Sequence, residues 1–350
     1  MYKDVCYRDK LVRLYMLHNN NGMEVDITNF GARIVALKVP DSNCVIRDVV
    51  QGFDTLDDYF PENHLSDFGA VIGRYANRIA NGRIVVDGIE YQLPQNNGPN
   101  CLHGGPLGWQ YAVYEVLEHT DNTISMSMVS PDGDNGFPGT VHVSVKYSLD
   151  DDNNLRIDYS ATSDAPTVIN MTNHSYFNLN GDGCSSIHNH LLWIDADKYT
   201  PVDFTMIPLE SHCLVDGTPM DFRVSKPVGR DIDSDYEQLR LGKGYDHNWV
   251  LNTCGSLERP CARLESPISG IVMEVYTTSP GMQVYTGNFL DGVVGKNGTS
   301  YLCRSAICLE TQQYPDSPNR QWPESTGRLS PEKPFYSTTI YKFNRKTHGQ

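Results

Sequence analysis

Long apolar runs are missing from this 350-residue chain, in which no unbroken stretch of Ala, Val, Ile, Leu, Met, Phe, Trp, Tyr or Cys exceeds four residues. A membrane-spanning helix needs about 20 consecutive apolar residues, so we expect no such helix. The first ten residues, MYKDVCYRDK, also lack the apolar segment of a secretory signal peptide. The sequence therefore predicts a soluble protein with no membrane partner, located in the cytoplasm.

Positive charge is scarce as well. The chain has 28 Lys and Arg against 43 Asp and Glu, which gives a formal net charge of −15 at pH 7. Proteins that bind nucleic acids or membrane surfaces present a basic patch to the phosphates that they contact. This charge balance argues against both classes, and we expect no nucleic-acid partner.

Motifs for disulfides, metals and cofactors are absent or incomplete. The nine cysteines are odd in number and include no C-x-x-C pair, which favours free thiols in a reducing compartment. No glycine-rich loop for nucleotide phosphates and no G-x-S-x-G nucleophile motif occurs. His188 and His190 could share one face of a strand as metal ligands, but no third ligand lies near them in the sequence. We therefore predict neither a metal nor a cofactor, with a metal at these histidines as the less favoured alternative.

Turn-forming residues are abundant, with 29 Gly and 20 Pro, and short strand-like runs lie between them. The runs are Arg33–Val39, Arg83–Ile89, Thr123–Val129, Thr140–Leu149, Leu155–Ala161 and Gly270–Thr277. Asp87-Gly88 is typical of a two-residue hairpin turn, and only the stretches 55–60 and 234–239 indicate short helices. This pattern predicts an all-β sandwich or barrel. Because no linker or repeat divides the chain, we expect a single domain over residues 1–350.

Several turn-rich segments carry polar side chains that are suited to catalysis or ligand binding. Each segment also has an explanation that requires no function: an exposed turn, an ion pair, a loop whose side chains hydrogen-bond to its own backbone, or packing in the core. The candidates are Arg74 and Arg78 in GRYANRI, His103 beside two glycines in LHGG, His174 and Tyr176 in NMTNHSYFNLNG, Asp246 in GYDHNW, and Glu310 at the end of the apolar run Ala306–Leu309. We expect the two glycines to permit a close approach of the backbone to a ligand.

These residue types fit one kind of chemistry. Histidines and an embedded carboxylate, without a metal or cofactor loop, suit proton transfer near neutral pH. Gln, Asn, Asp and Arg side chains among aromatics suit a neutral polyhydroxylated ligand. The residues alone therefore predict a β protein with an acid–base site for a sugar.

Six motifs in order along the chain make the sequence resemble the aldose 1-epimerase (galactose mutarotase) family. They are GRYANRI (73–79), LHGG (102–105), NHSYFNL (173–179), GYDHNW (244–249), YTGN (285–288) and LETQQYPDSPN (309–319). The resemblance implies a large galactose mutarotase-like supersandwich and an isomerase that acts on free aldoses such as D-galactose and D-glucose. It implies no metal or cofactor, and we expect a monomer or a weak homodimer.

The resemblance also implies a role for each site residue. Glu310 corresponds to the general base that takes the proton of the C1 hydroxyl, and His174 to the general acid that protonates the ring oxygen. His103 assists by hydrogen bonding near these oxygens. The remaining hydroxyls are held by Asn77, Arg78, Tyr176, Asp246 and Gln283. Two alternatives stay open, namely an epimerase of hexose 6-phosphates on the same architecture and a sugar-binding module without catalysis.

Overall fold

The computed structural model describes residues 3–346, which form antiparallel strands numbered here in chain order. In the first half of this range the strands are β1 (Val5–Tyr7), β2 (Lys10–Val12), β3 (Leu14–His18), β4 (Glu24–Thr28), β5 (Arg33–Pro40), β6 (Ile46–Asp48), β7 (Val71–Ile72), β8 (Arg78–Ile79), β9 (Arg83–Val86), β10 (Ile89–Gln92), β11 (Cys101–Leu102), β12 (Glu115–His119), β13 (Thr123–Ser130), β14 (Val141–Leu149), β15 (Asn154–Ser163), β16 (Thr167–Val168) and β17 (Thr172–Asn173).

The second half of the described range also has mainly strands as its regular elements. Its strands are β18 (Leu191–Ile194), β19 (Lys198–Thr200), β20 (Cys213–Leu214), β21 (Lys226–Pro227), β22 (Asp246–Val250), β23 (Ala262–Glu265), β24 (Ile271–Thr277), β25 (Gly281–Tyr285), β26 (Val293–Val294), β27 (Ser300–Tyr301), β28 (Cys308–Gln312), β29 (Arg328–Leu329) and β30 (Phe335–Arg345). Within residues 3–346 the helices are α1 (Glu237–Gly242) and the 3-10 segments Asp57–Tyr59, Ala80–Gly82, Trp109–Tyr111, Asp134–Gly136, Val228–Arg230, Lys296–Gly298 and Ser317–Asn319.

A nine-stranded antiparallel sheet dominates the described part of the chain, in the order β12-β13-β14-β15-β30-β24-β23-β18-β21. Strand β14 shows how one face of this sheet meets the core. Val141, Val143 and Val145 are buried, whereas the alternate His142 and Lys146 are exposed. Successive side chains of a strand point to opposite faces, so this pattern buries one face and leaves the other in solvent.

Two smaller sheets cover the buried face of the large one. They are the four-stranded sheet β3-β4-β5-β6 and the five-stranded sheet β20-β19-β22-β25-β28, and one apolar cluster contains side chains from all three sheets. Hydrogen bonds also cross the layers, from the Tyr147 hydroxyl to the Ala32 carbonyl at 2.6 Å and from the Tyr341 hydroxyl to the Leu309 carbonyl at 3.0 Å. The predicted all-β sandwich is confirmed.

The local predictions agree with this architecture. Each predicted run contains a strand, and β9 pairs with β10 across the two-residue turn at Asp87-Gly88, with Val86 opposite Ile89. The predicted helical stretches coincide with the segment Asp57–Tyr59 and, shifted a few residues along the chain, with α1. None of the helices in the described range has both the length and the apolar character that a membrane crossing requires.

Candidate active site

The five-stranded sheet carries polar side chains on the face that points away from the core. Strands β22, β25 and β28 are neighbours, and Gln283 lies directly opposite Glu310 in their register. Because the side chains of a strand alternate, Asp246, Gln283 and Glu310 project from one face. Val284 and Leu309 project from the other face into the apolar core. The same strands therefore anchor the sheet in the core and present a row of polar groups.

Loops and short strands bring further groups against this face. Strand β8 pairs with β11, so Asn77 and His103, which flank this pair, are joined by a hydrogen bond from the His103 backbone N–H to the Asn77 carbonyl at 3.1 Å. Strand β17 pairs with β7 and ends at Asn173, directly before His174. Residues that are far apart in the sequence thus meet at one place.

One cavity of about 300 Å³ contains all of the predicted site residues in its lining. Its walls are formed by Asp67, Asn77, Arg78, Asn97, Leu102, His103, His174, Tyr176, Asp246, Gln283, Tyr285, Phe289 and Glu310. Five of these lining residues are not among the predicted site residues. Leu102 and Tyr285 lie within two of the six motifs, which was a usable signal, whereas Asp67, Asn97 and Phe289 lie outside them.

A network of polar side chains, called the binding frame below, forms one end of the cavity. It consists of Arg78, Asn97, Asp246 and Gln283. Arg78 Nε donates to Asn97 Oδ1 at 3.0 Å, and Arg78 Nη1 lies 4.0 Å from Asp246 Oδ2. Gln283 Nε2 donates to Asp246 Oδ1 at 2.7 Å. Burial raises the pKa of Asp246, while Arg78 and the Gln283 hydrogen bond act in the opposite direction. The frame is therefore ordered by its own contacts before any ligand binds.

His103 is held in one tautomer by the backbone. Its Nδ1 accepts the Asn77 backbone N–H at 3.1 Å, so the ring proton of the neutral imidazole is on Nε2. Burial, together with the nearby Arg78, lowers the pKa of His103 to about 3. His103 is thus neutral at pH 7 and offers Nε2–H as a hydrogen-bond donor.

His174 and Glu310 form a close, buried pair. His174 Nε2 lies 3.6 Å from Glu310 Oε1, and the two residues are 4% and 1% exposed. Burial lowers the pKa of His174 to about 3, and burial, followed by the negative charges of Asp246 and Asp67, raises the pKa of Glu310 well above its usual range. His174 Nδ1 and Glu310 Oε2 are buried and have no hydrogen-bond partner among the described residues. Groups with this shift and no partner are suited to proton transfer.

Tyr176 fixes the plane of the His174 ring. The two rings are stacked, with centroids 4.9 Å apart and an interplanar angle of 15°. Phe68 in turn packs edge-on against Tyr176 at 4.6 Å. Tyr176 therefore positions the imidazole, in addition to the hydroxyl contact that the resemblance implies.

Two features of the motifs serve the fold and not the cavity. Arg74 is buried and donates through Nη1 to the carbonyls of Pro138 and Gly139 at 2.8 and 2.9 Å, which ties down the loop 131–139. Gly104 has φ of +79°, and a Cβ there would lie 2.2 Å from the Gly73 carbonyl oxygen. The close approach at this glycine is between two backbone segments and not toward a ligand.

His188 and His190 do not share a ligand position. His188 is exposed, whereas His190 is buried and its Nε2 accepts the Leu179 backbone N–H at 2.9 Å. The less favoured alternative of a metal between these two residues therefore has no support from their placement.

The cavity itself contains clusters with metal-like spacing. Among residues 3–346, the candidate ligand atoms of Asp67, His103 and His174 lie within 4.8 Å of one another, as do those of His174, Cys308 and Glu310. However, His103 Nδ1 is already used and Nε2 carries a proton, so this ring offers no free lone pair. Burial also raises the pKa of the Cys308 thiol well above its usual range, and a thiol must lose its proton to bind a metal. The donor set fits proton transfer better than metal binding.

Comparisons with known proteins show to which family the chain belongs. Residues 13–342 match the family described as aldose 1-epimerase. The chain is 44% identical over 327 residues to galactose mutarotase from Bos taurus, covering 92% of this chain and 91% of that protein. It is 39% identical over 332 residues to aldose 1-epimerase from Escherichia coli K12, covering 95% of each.

Solved structures lead to the same family. The aldose epimerase homologue from C. elegans superposes with a TM-score of 0.87 at 32% identity, covering 95% of this chain and 99% of that one. Galactose 1-epimerase from Lactobacillus acidophilus NCFM gives a TM-score of 0.84 at 28% identity and covers 99% of both chains. With both the sequence and the fold matched over nearly their whole length, the chain belongs to the aldose 1-epimerase family.

Proposed function

We propose that this protein is an isomerase that interconverts the α and β anomers of free hexoses, including D-galactose and D-glucose. It opens the sugar ring, allows rotation about C1–C2 and closes the ring again. The observation that carries the proposal is the buried His174–Glu310 pair, 3.6 Å apart and with an unpartnered atom on each residue. The names of its relatives, galactose mutarotase and galactose 1-epimerase, support the choice of substrate.

The spacing of this pair suits a cyclic hemiacetal. Ring opening removes a proton from the C1 hydroxyl and delivers one to the ring oxygen. Both oxygens are bonded to C1, so the base and the acid must also be close together. Glu310 is the base and His174 the acid in this proposal, and each general acid or base contributes about 10²–10⁴-fold.

The proton count of the pair explains how the enzyme returns to its starting state. When the ring opens, Glu310 gains one proton and His174 loses one, so the pair holds one proton before and after the step. When the ring closes from the other face of C1, the same two transfers run in reverse. Two groups this close titrate as a unit, and the active form is the one with a single proton on the pair.

The binding frame holds the sugar while C1 rotates. Arg78, Asp246 and Gln283 offer fixed donors and acceptors to hydroxyls remote from C1, and His103 offers Nε2–H near the reacting oxygens. Fixing the remote hydroxyls lowers the entropy that must be lost on the way to the transition state.

Charge in the cavity favours a free sugar over a hexose 6-phosphate. Among the described lining residues, Arg78 is the cation, against the carboxyl groups of Asp67, Asp246 and Glu310. A phosphate dianion would lie close to these acidic groups, and like charges repel strongly in a partly buried site. Phosphate recognition would need additional Arg or Lys side chains.

Polarimetry of freshly dissolved α-D-galactose tests the proposal. Wild type, Glu310→Gln and a sample without enzyme are followed together, because spontaneous mutarotation sets a background. The matched control is Glu265→Gln, which removes a buried carboxylate that is ion-paired with Lys346 and does not line the cavity.

We expect acceleration by wild type and by Glu265→Gln but not by Glu310→Gln, and the same order with α-D-glucose. Acceleration with glucose 6-phosphate alone would overturn the choice of substrate. Binding of galactose without any acceleration would overturn the assignment as an enzyme.

A further inference from the structure

Asp67 is a cavity residue to which neither the resemblance nor the proposed mechanism gives a role. It lies in the loop before β7, and this loop is fixed on both sides of it. The buried Arg33 donates to the carbonyls of Ser66 at 3.2 Å and Phe68 at 2.8 Å. The Gly69 backbone N–H donates to the His174 carbonyl at 2.9 Å. The position of Asp67 relative to His174 is therefore set by the fold.

The carboxyl group of Asp67 faces the two histidines of the cavity. Its oxygen lies within 4.8 Å of ring nitrogens of His103 and His174. Asp67 Oδ1 is buried and has no hydrogen-bond partner among the described residues. No protein hydrogen bond therefore engages this oxygen, and the rings of the two histidines are close ionisable neighbours of the carboxyl group.

His174 stands between competing charges. The titratable or charged groups that face it are Asp67, His103, Arg33, Glu310, Cys308, Tyr176 and Tyr285. Burial disfavours the imidazolium form, and Arg33 acts in the same direction. His103 is neutral at pH 7, because its pKa is lowered to about 3. Cys308, Tyr176 and Tyr285 are uncharged at pH 7, because burial raises the pKa of each. Asp67 and a backbone hydrogen bond favour the imidazolium. The carboxyl group of Glu310, 3.6 Å away, also favours it when it is ionised.

These two carboxyl groups differ in what happens to their charge. In the proposed function, on which this inference rests, Glu310 takes up the proton of the C1 hydroxyl and becomes neutral. Asp67 takes no part in that transfer. His174 belongs to both clusters of close groups, one with Asp67 and one with Glu310. Asp67 can therefore stabilise positive charge on the ring while Glu310 changes its charge.

We infer that Asp67 is a positioning residue of this site, whose carboxylate stabilises the protonated imidazole of His174 that the acid step requires. The charge of Asp67 favours a proton on either member of the pair. Because its oxygen lies in the close cluster with His174 and not in the cluster with Glu310, Asp67 favours the form with the proton on His174. It acts through His174 and needs no contact with the sugar.

The test is the pH dependence of kcat and kcat/KM for galactose in wild type, Asp67→Asn and Asp67→Glu. Asparagine keeps the shape but removes the charge, whereas glutamate keeps the charge. The matched control is Asp121→Asn, which makes the same change in charge at an exposed turn remote from the cavity lining.

In Asp67→Asn, both limbs of the kcat/KM profile should move to lower pH by about one unit, because a nearby negative charge that favours protonation is gone. The same loss of about one pKa unit at His174 lowers the fraction of the pair with its proton on His174 by about tenfold, so kcat at the optimum should fall by about tenfold, while KM changes by less than about threefold. Asp67→Glu and Asp121→Asn should keep the profile of wild type.

Other results would overturn the inference. A raised KM with an unmoved pH profile in Asp67→Asn would make Asp67 a ligand of a sugar hydroxyl. Equal shifts in the asparagine and glutamate variants would assign the effect to shape and not to charge. An inactive wild type would overturn the proposed function, and this inference with it, whereas an active wild type with an identical Asp67→Asn profile would overturn this inference alone.

Discussion

The two ends of the cavity are built in opposite ways. In the binding frame, Asp246 accepts from Gln283 at 2.7 Å and faces Arg78 at 4.0 Å, and Asn97 fixes Arg78. At the reaction end, formed by His103, His174, Glu310 and Asp67, buried atoms of the last three have no hydrogen-bond partner among the described residues. Gln283 Oε1 in the binding frame is also without a partner among the described residues, but each side chain of the frame is fixed by at least one protein contact, whereas the proton-transfer groups are left free for the substrate.

Leaving the proton-transfer groups without partners lowers the stability of the fold, but other contacts offset the loss. A buried polar group without a partner destabilises a protein by about 1–3 kcal/mol, and more if the group is charged. The apolar core shared by the three sheets is large enough to offset it. Local violations of this kind are expected where function requires them.

The largest expected effect comes from Glu310→Gln at the reaction end. It should lower kcat by more than about 10²-fold, as the loss of a general base does. The midpoint of thermal unfolding should stay equal or rise, because a buried carboxyl without a partner is replaced by a neutral amide. Glu265→Gln should do the reverse, keeping kcat but losing stability along with its ion pair to Lys346. A folded Glu310→Gln protein with about a tenth of wild-type activity would contradict the role of the base.

His174→Gln should lower kcat by about 10²-fold, since the general acid is lost while the frame keeps its contacts. Because the acid and the base act as a unit, the double variant with Glu310→Gln should be no slower than the slower single variant. Polarimetry of the three proteins in one buffer checks this. Losses that multiply in the double variant would show that the two residues act independently.

A change in the frame should affect binding more than turnover. Asp246→Asn removes the charge that faces Arg78 and weakens the hydrogen bond from Gln283. Hydrogen bonds to charged groups are worth about 1.5–3 kcal/mol, so KM for galactose should rise by about 10-fold or more. Initial rates over a range of sugar concentrations separate KM from kcat. An unchanged KM with a large fall in kcat would show that Asp246 acts in turnover and not in binding. The binding frame and the reaction end would then not differ in function.

The smallest effect concerns stability against pH. Burial lowers the pKa of His174 to about 3 and of His190 to about 4, below the usual 6.5. Between these values only the unfolded chain binds the proton, so each of the two histidines makes the free energy of unfolding fall as the pH falls below about 6.5, whereas the raised pKa of Glu310 acts in the opposite direction. Replacing either histidine by Gln should flatten this slope by up to about 1.4 kcal/mol per pH unit.

Only one of these two replacements should affect catalysis. His190 lies outside the cavity lining and accepts a backbone N–H, so His190→Gln should keep its turnover, whereas His174→Gln should lose it. Urea unfolding at pH 5 and pH 7 gives the slopes of both variants, and polarimetry gives their rates. Slopes like that of wild type would mean that these rings are protonated in the folded protein.

The sequence predicts some parts of the fold better than others because burial differs between the sheets. Strand β14 alternates between buried and exposed residues, so its period of two is visible in the sequence. Strands β22, β25 and β28 are buried on both faces, by the core and by the cavity wall, and show no alternation. Without an alternation, the sequence gives no strand prediction for these three segments.

The residues of the site also differ in how well the sequence predicts them. The predicted site residues lie in the six motifs, except Gln283, which lies two residues before one of them, and the structure brings all eight to one cavity, although their roles remain predictions. The candidate Arg74 lies in a motif but not in the cavity lining. No sequence pattern indicated Asp67 as a site residue, because a single Asp in a loop looks like any Asp in a solvent-exposed turn. Only the pairing of β7 with β17 places its loop against His174, more than 100 positions further along the chain.

The most direct test of the division between the two ends measures galactose binding by calorimetry and turnover by polarimetry on the same preparations of wild type, Glu310→Gln and Asp246→Asn. We predict that Glu310→Gln binds galactose within about threefold of wild type yet loses more than about 10²-fold in turnover, whereas Asp246→Asn loses mainly binding. Equal losses of binding and turnover in both variants would contradict the account.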